Sequence, residues 1–266
     1  MAAIAYRRRA LPVCWQVRRR TGVSDADQQK SLLAKLSKRI EEACEARSEA
    51  EVPEAEAPEV IVIGDGSFHS TELMSYLSDK GWFYRLRLHS DSYVRLSKEG
   101  SWKQLGDLAP EEGGEYRYLN GVYVTKTDPY GPVSIAICHA DGEEDPWFIA
   151  TSEQEADYLT LRTYSRRMWI EELFGDLQAS GFQLQKSGLY EPARLSRLAG
   201  GSFLDVRVAD ECGRVGYKKR IPQACRAHRP PRPELRGDWT TLHSTMYDQR
   251  KTLACQYQTL LPKTVR

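Results

Sequence analysis

The chain has 266 residues, with 38 Lys and Arg against 37 Asp and Glu, a formal net charge of +1 and a hydrophobic fraction of 41%. That length can bury a real core, and that composition excludes a collagen-like repeat and a chain disordered throughout. No apolar run approaches the ~18 residues of a membrane span, and the short apolar start runs into Arg7, Arg8 and Arg9, charge on the wrong side for an export signal.

Near neutrality hides blocks. Residues 1–20 carry six arginines and no acid, residues 41–59 carry eight glutamates against Arg47, and residues 214–236 are basic again. Cys14, Cys44, Cys138, Cys212, Cys225 and Cys255 show no C-x-x-C spacing. With no export signal they are expected to be free thiols in a reducing cytoplasm.

Residues 2–6 and 11–17 read as short strands joined at Arg7–Arg9. Asp25 can cap a helix over 26–49, with Leu32, Leu33, Leu36 and Ile40 at helical spacing. The acidic stretch 49–59, with Pro53 and Pro58, reads as a solvated linker. Val60-Ile61-Val62-Ile63 is apolar on both faces, as in a strand at the middle of a covered sheet, and Gly64-Asp65-Gly66-Ser67 ends it. A helix over 69–80, with Leu73, Met74 and Leu77 on one face, leads to an alternating strand from Trp82 to Leu88. This is a β-α-β unit, and Asp65 sits at the carboxyl end of its first strand, where open α/β sheets take their ligands.

Short β-like pieces follow at 92–96, 115–118, 121–126, 132–138 and 146–150, separated by Gly, Pro, Asn and Asp, and imply a mostly antiparallel insertion. Helices are predicted over 153–160 and 162–179, the second stopped by Gly181. On a wheel at about 100° per residue, Tyr164, Arg167, Glu171 and Gln178 fall within about 60° of one another. Trp169, Ile170, Leu173 and Leu177 cluster opposite. One face therefore packs, and the other carries a Tyr, an Arg and a carboxylate in line. The plain reading of the polar line is a surface helix with an i,i+4 ion pair. Glu172, about 100° away on the wheel, is expected in solvent.

The order Tyr164-x2-Arg167-x3-Glu171-x6-Gln178, within Arg-Met-Trp-Ile-Glu-Glu-Leu-Phe-Gly-Asp-Leu, resembles the Tyr-Arg-Glu-Lys signature of bacterial insertion-sequence transposases. It matches at three of four positions, with Gln178 where the family has lysine. Val60–Leu88 is similar to the family's segment around its second catalytic Asp, and the β-rich stretch before the Glu is a family trait. The resemblance covers about residues 1–195 and implies an α/β, ribonuclease-H-like core. That core would comprise 1–89 and 151–195, interrupted by a β insertion at 90–150 and followed by a polar basic tail at 196–266.

The resemblance further implies phosphoryl transfer on DNA at element ends. Asp65 and Glu171 would be the second and third catalytic carboxylates and ligands of two Mg²⁺ or Mn²⁺ ions. Tyr164, Arg167 and Gln178 would hold a DNA phosphate. The family's first Asp lies on a strand preceding one like Ala2–Tyr6, so the chain is expected to be truncated ahead of Met1 and incomplete as a catalyst. The resemblance implies transposon-end DNA as partner, pairing with itself or with a full-length copy, and a cytoplasmic, nucleoid-associated location. Ala209–Gly213 can be encoded by bases that read Leu-Met-Ser-Val-Gly in a neighbouring frame, which suggests a shifted frame from near Gly200–Phe203.

Two rival readings stand beside it. One is a non-catalytic transposase remnant that binds DNA or dimerises. The other is a magnesium-dependent phosphatase, because Gly64-Asp65-Gly66 after an apolar strand also resembles the haloacid-dehalogenase magnesium loop; the Asp-x-Asp nucleophile motif after a strand is absent. Of the remaining candidates, His69 reads as a solvated helix-start histidine, and Cys138-His139 lacks a partner pair for zinc. Arg85 and Arg87, with Tyr93 and Arg95, read either as a DNA-following stripe or as a solvated strand face. Trp82 and Trp147 are expected in the core.

Overall fold

A computed structural model describes residues 1–18, 22, 24–49, 58–177, 187–211 and 251–255. Gln178, Gly181, most of the predicted linker and most of the tail lie outside the described residues. The chain is a mixed α/β protein that divides into two units. One takes residues 1–57, 166–218 and 253–266; the other takes residues 58–165 and 219–252. Among the described residues no helix is long and apolar enough to cross a membrane.

The first unit begins with a hairpin of β1 (Ala2–Tyr6) and β2 (Arg9–Cys14). Its two-residue loop, Arg7-Arg8, has both φ values positive, the twist a tight antiparallel hairpin needs. Residues 253–255 of β10 (Lys251–Cys255) pair antiparallel along β1. Helix α1 (Ala26–Glu49) packs against the hairpin, and Asp25 caps it by accepting from the Gln28 backbone N–H at 2.9 Å. Leu32, Leu33 and Leu36 are buried, as their spacing predicts, while Ile40 is only half-buried. Helix α4 (Met168–Gly175) and the segment to Leu177 lay Ile170, Leu173, Phe174 and Leu177 onto Met1, Ala3, Ala10 and Ala199. Alanines on the strands let the helix come close. Helix α5 (Pro192–Glu211) runs on through the boundary drawn at residue 195. Its Ser196 hydroxyl accepts from Trp15 Nε1 at 3.0 Å, and Gly200 leaves room for the same indole.

The second unit is built on a seven-strand run ordered β3-β4-β9-β8-β7-β5-β6. Only β3 (Val60–Gly64) and β4 (Phe83–Leu88) are parallel, joined through α2 (Thr71–Asp79), and every residue of β3 is buried. The antiparallel strands continue that same sheet, because β9 (Trp147–Thr151) pairs directly with β4 and β8 (Tyr130–Cys138) with β9. Strand β7 (Arg117–Val124) joins into one element the two pieces predicted at 115–118 and 121–126. The register slips between Leu119 and Val122, where Gly121 takes φ +67°, so a bulge made one strand read as two. The edge is formed by β5 (Tyr93–Arg95) and β6 (Trp102–Gln104), of which β6 was not anticipated.

The helix predicted over 153–160 starts later, as α3 (Tyr158–Tyr164), because Asp157 and Thr160 form a reciprocal capping box. Arg85 is on neither a solvated face nor a DNA-following stripe. It is 2% exposed, with Nη2 2.6 Å from Glu153 and Nη1 donating to Thr151 Oγ1 and the Tyr84 carbonyl. A central strand covered on both faces admits a cation only with partners. Trp147 is buried as expected, whereas Trp82 is half-buried.

Candidate functional site

The strand β3 stops because Asp65 takes over the backbone. Its Oδ1 accepts from the Ser67 N–H at 2.9 Å and from the Ser67 hydroxyl at 2.5 Å, capping a 3₁₀ turn at Gly66–Phe68. Phe68 is buried and anchors the turn. Gly64 is required by close approach, since a Cβ there would lie 2.7 Å from Phe68 Cβ and 2.8 Å from Leu86 Cδ2. The half-buried Asp65 thus has a fixed orientation, and its Oδ2 takes no hydrogen bond from the described residues.

Two histidines close on the same turn. His89 follows β4, the parallel neighbour of β3, and its Nε2 donates to the Gly66 carbonyl at 2.9 Å. His69 Nδ1 lies 2.5 Å from the same oxygen, and the rings meet edge-to-face with centroids 4.7 Å apart. A Cβ at Gly66 would sit 2.9 Å from His89 Cε1. His69 is exposed, as expected, but it is tied to the Asp65 turn. His89 belongs to none of the sequence motifs. The signal was available: in a β-α-β unit, the residue after the second strand lies beside the turn after the first.

In the other unit, Arg167 Nη1 lies 2.5 Å from Glu171 Oε1, and Nη2 contacts Met168 Sδ at 3.8 Å. The Arg167 side chain is 11% exposed and that of Glu171 37%. The i,i+4 pair therefore exists, and the opposite side of α4 packs as the wheel implied.

Tyr164 does not share that polar line. The single helix expected over 162–179 is interrupted: α3 ends at Tyr164, Ser165–Arg167 form a 3₁₀ turn, and α4 starts at Met168. A 3₁₀ turn advances about 120° per residue, so one wheel at 100° does not carry across it. Tyr164 is 1% exposed and packs edge-on against Trp147, 5.3 Å between centroids. It is a core residue of the second unit and is not presented to a phosphate. Glu172 is also not solvated as expected. It is half-buried, and burial first, then the nearby Asp176 carboxylate, raise its pKa against the pull of Arg9.

Among the described residues, no group of three or more His, Cys, Asp or Glu side chains gathers to hold a metal ion. The free Oδ2 of Asp65 suits a hard divalent cation in kind, so the donor chemistry fits while the donor number falls short. No family model matches the chain, and no curated protein matches it.

Proposed function

We propose that this chain is a polypeptide of the DDE transposase type, acting on DNA strands by metal-dependent phosphoryl transfer, with residues 1–266 incomplete as a catalyst on their own. The observation that carries this reading is Asp65, held at the carboxyl end of β3 beside parallel β4 with one carboxylate oxygen free. The antiparallel strands that continue the sheet, followed by the Arg167–Glu171 pair, are in the order the resemblance requires.

Asp65 and Glu171 would hold Mg²⁺ or Mn²⁺, which when bound supplies the Lewis acid for in-line displacement at phosphorus. His69 and His89 hold the Gly66 carbonyl and so fix the turn from which Asp65 projects. Arg167 would orient a phosphate oxygen through its guanidinium group. Two of the family's three carboxylates are matched within these residues, so strand nicking at transposon ends would need the third from elsewhere. Pairing with another copy and a place on cytoplasmic DNA belong to the same proposal.

The test begins with the DNA upstream of Met1. An in-frame strand carrying an Asp is expected there, and the extended protein should nick supercoiled DNA in Mg²⁺ or Mn²⁺. Asp65→Asn and Glu171→Gln should each abolish that nicking. Nicking that survives both substitutions overturns the mechanism. The second reading, a non-catalytic remnant that binds DNA or dimerises, is favoured by the engagement of Glu171 with Arg167. It takes precedence if no such strand exists upstream. No observation favours the phosphatase reading.

A further inference from the structure

The edge of the second unit's sheet carries a second surface. Strand β5 lies between β6 and β7. Arg95 stands directly opposite Trp102 on one neighbour and Tyr123 on the other. Its Cζ is 4.9 Å from the indole centroid and 5.2 Å from the phenol centroid. One row along, Tyr93 stands opposite Gln104, whose amide donates to the Tyr93 hydroxyl at 3.4 Å. Lys126 Nζ lies 5.4 Å from the Tyr93 ring centroid. The alternate positions, Val94, Val122 and Val124, are buried. So one face of this edge is core, and the other sets three rings and two cations in two cross-strand rows.

Two features set this face apart from an ordinary solvated strand. Tyr93 is 37% exposed, and Trp102 and Tyr123 are half-buried, so none of the three residues is fully enclosed. Neither Arg95 nor Lys126 has a carboxylate partner among the described residues, and Arg95 Nε is buried there without a hydrogen bond. Aromatic faces interleaved with unneutralised cations complement a ligand that is anionic and carries flat π-surfaces. A single-stranded nucleic acid offers both at every residue, whereas a duplex keeps its base faces stacked inside. An acidic peptide offers only the charge.

We propose that the Tyr93–Arg95–Trp102–Tyr123–Lys126 face binds single-stranded nucleic acid, with bases stacking on the rings and phosphates meeting Arg95 and Lys126. The surface does not use Asp65 or Glu171, so binding in EDTA and metal-dependent nicking can fail separately.

The test is fluorescence anisotropy of a labelled oligo-dT of about 20 nucleotides, long enough for the footprint of one small domain, titrated with the whole chain in EDTA. The single strand should bind more tightly than a duplex of equal length. Tyr93→Ala and Trp102→Ala should each weaken it by roughly 5- to 100-fold, and Tyr93→Phe should keep the affinity. Lys126→Ala should reduce the slope of log K against log salt by about 0.7. Should Trp102→Ala not fold, the more exposed Tyr93→Ala decides, with thermal unfolding to show that it is folded. No binding by the wild-type chain, preference for duplex, unaltered binding by Tyr93→Ala, or equal displacement by polyglutamate would each overturn the proposal.

Discussion

At the scale of single residues, a charge inside the fold can be held by specific partners. Arg85 is the clearest case. With 2% exposure it depends on Glu153 and Thr151, and its register partner across the sheet is Thr151 itself. Removing one member of such a pair strands a buried charge, which costs about 3 kcal/mol. Glu153→Ala should therefore lower the free energy of unfolding by about that much in urea titration. An unchanged midpoint would mean that Arg85 finds water or another acceptor. Asp65 differs: one carboxylate oxygen caps the turn, and the other takes no hydrogen bond from the described residues.

At the scale of elements, the segment from 158 to 177 decides most. Helix α4 packs through Ile170, Leu173, Phe174 and Leu177, and its exposed Gly175 has open space where a Cβ would go. Gly175 is a residue of α4 and is not among the glycines with positive φ, so it is not a left-handed cap. Gly175→Ala should raise stability by up to about 1 kcal/mol, read as a higher thermal midpoint. The acids of the same element predict a pH response. Burial raises the carboxyl pKa of both Glu172 and Asp176 above their ordinary values of 4.5 and 3.8. A raised acid binds its proton more tightly in the folded state. Stability from these groups is therefore greatest at low pH and is lost as pH rises from the ordinary values through the raised ones. Glu172→Gln should flatten the thermal midpoint against pH across that window; an unchanged profile would mean that Glu172 titrates as in solvent.

At the scale of the whole molecule, the boundaries between the two units at 57/58 and 165/166 enclose residues 58–165. Residues 58–165 contain the parallel pair, all five antiparallel strands that extend it, and both α2 and α3. The first unit is interleaved: Met1, Ala3 and Ala10 are covered by residues 170–199. Expressed separately, residues 58–165 should fold with a cooperative thermal transition and retained near-ultraviolet circular dichroism. Residues 1–57 should not, because their apolar covering lies more than a hundred residues away in sequence. Cooperative folding of 1–57 alone would refute that dependence.

Local pattern alone determined the parts governed by neighbours in sequence. The run Val60–Ile63 reads as a covered central strand, Asp25 and Leu32–Leu36 as a capped amphipathic helix, and Arg167–Glu171 as an i,i+4 pair, because each depends on period and capping within a few residues. Asp65 at a strand end was legible for the same reason. What only tertiary structure decided were contacts between distant residues. The burial of Arg85 needs Glu153, the loss of Tyr164 from the polar line needs Trp147, and the stacking of Arg95 between Trp102 and Tyr123 needs a three-strand register. A charged or aromatic side chain alternates identically on a solvated and a covered strand. Only the elements that pack over it determine which of the two it becomes.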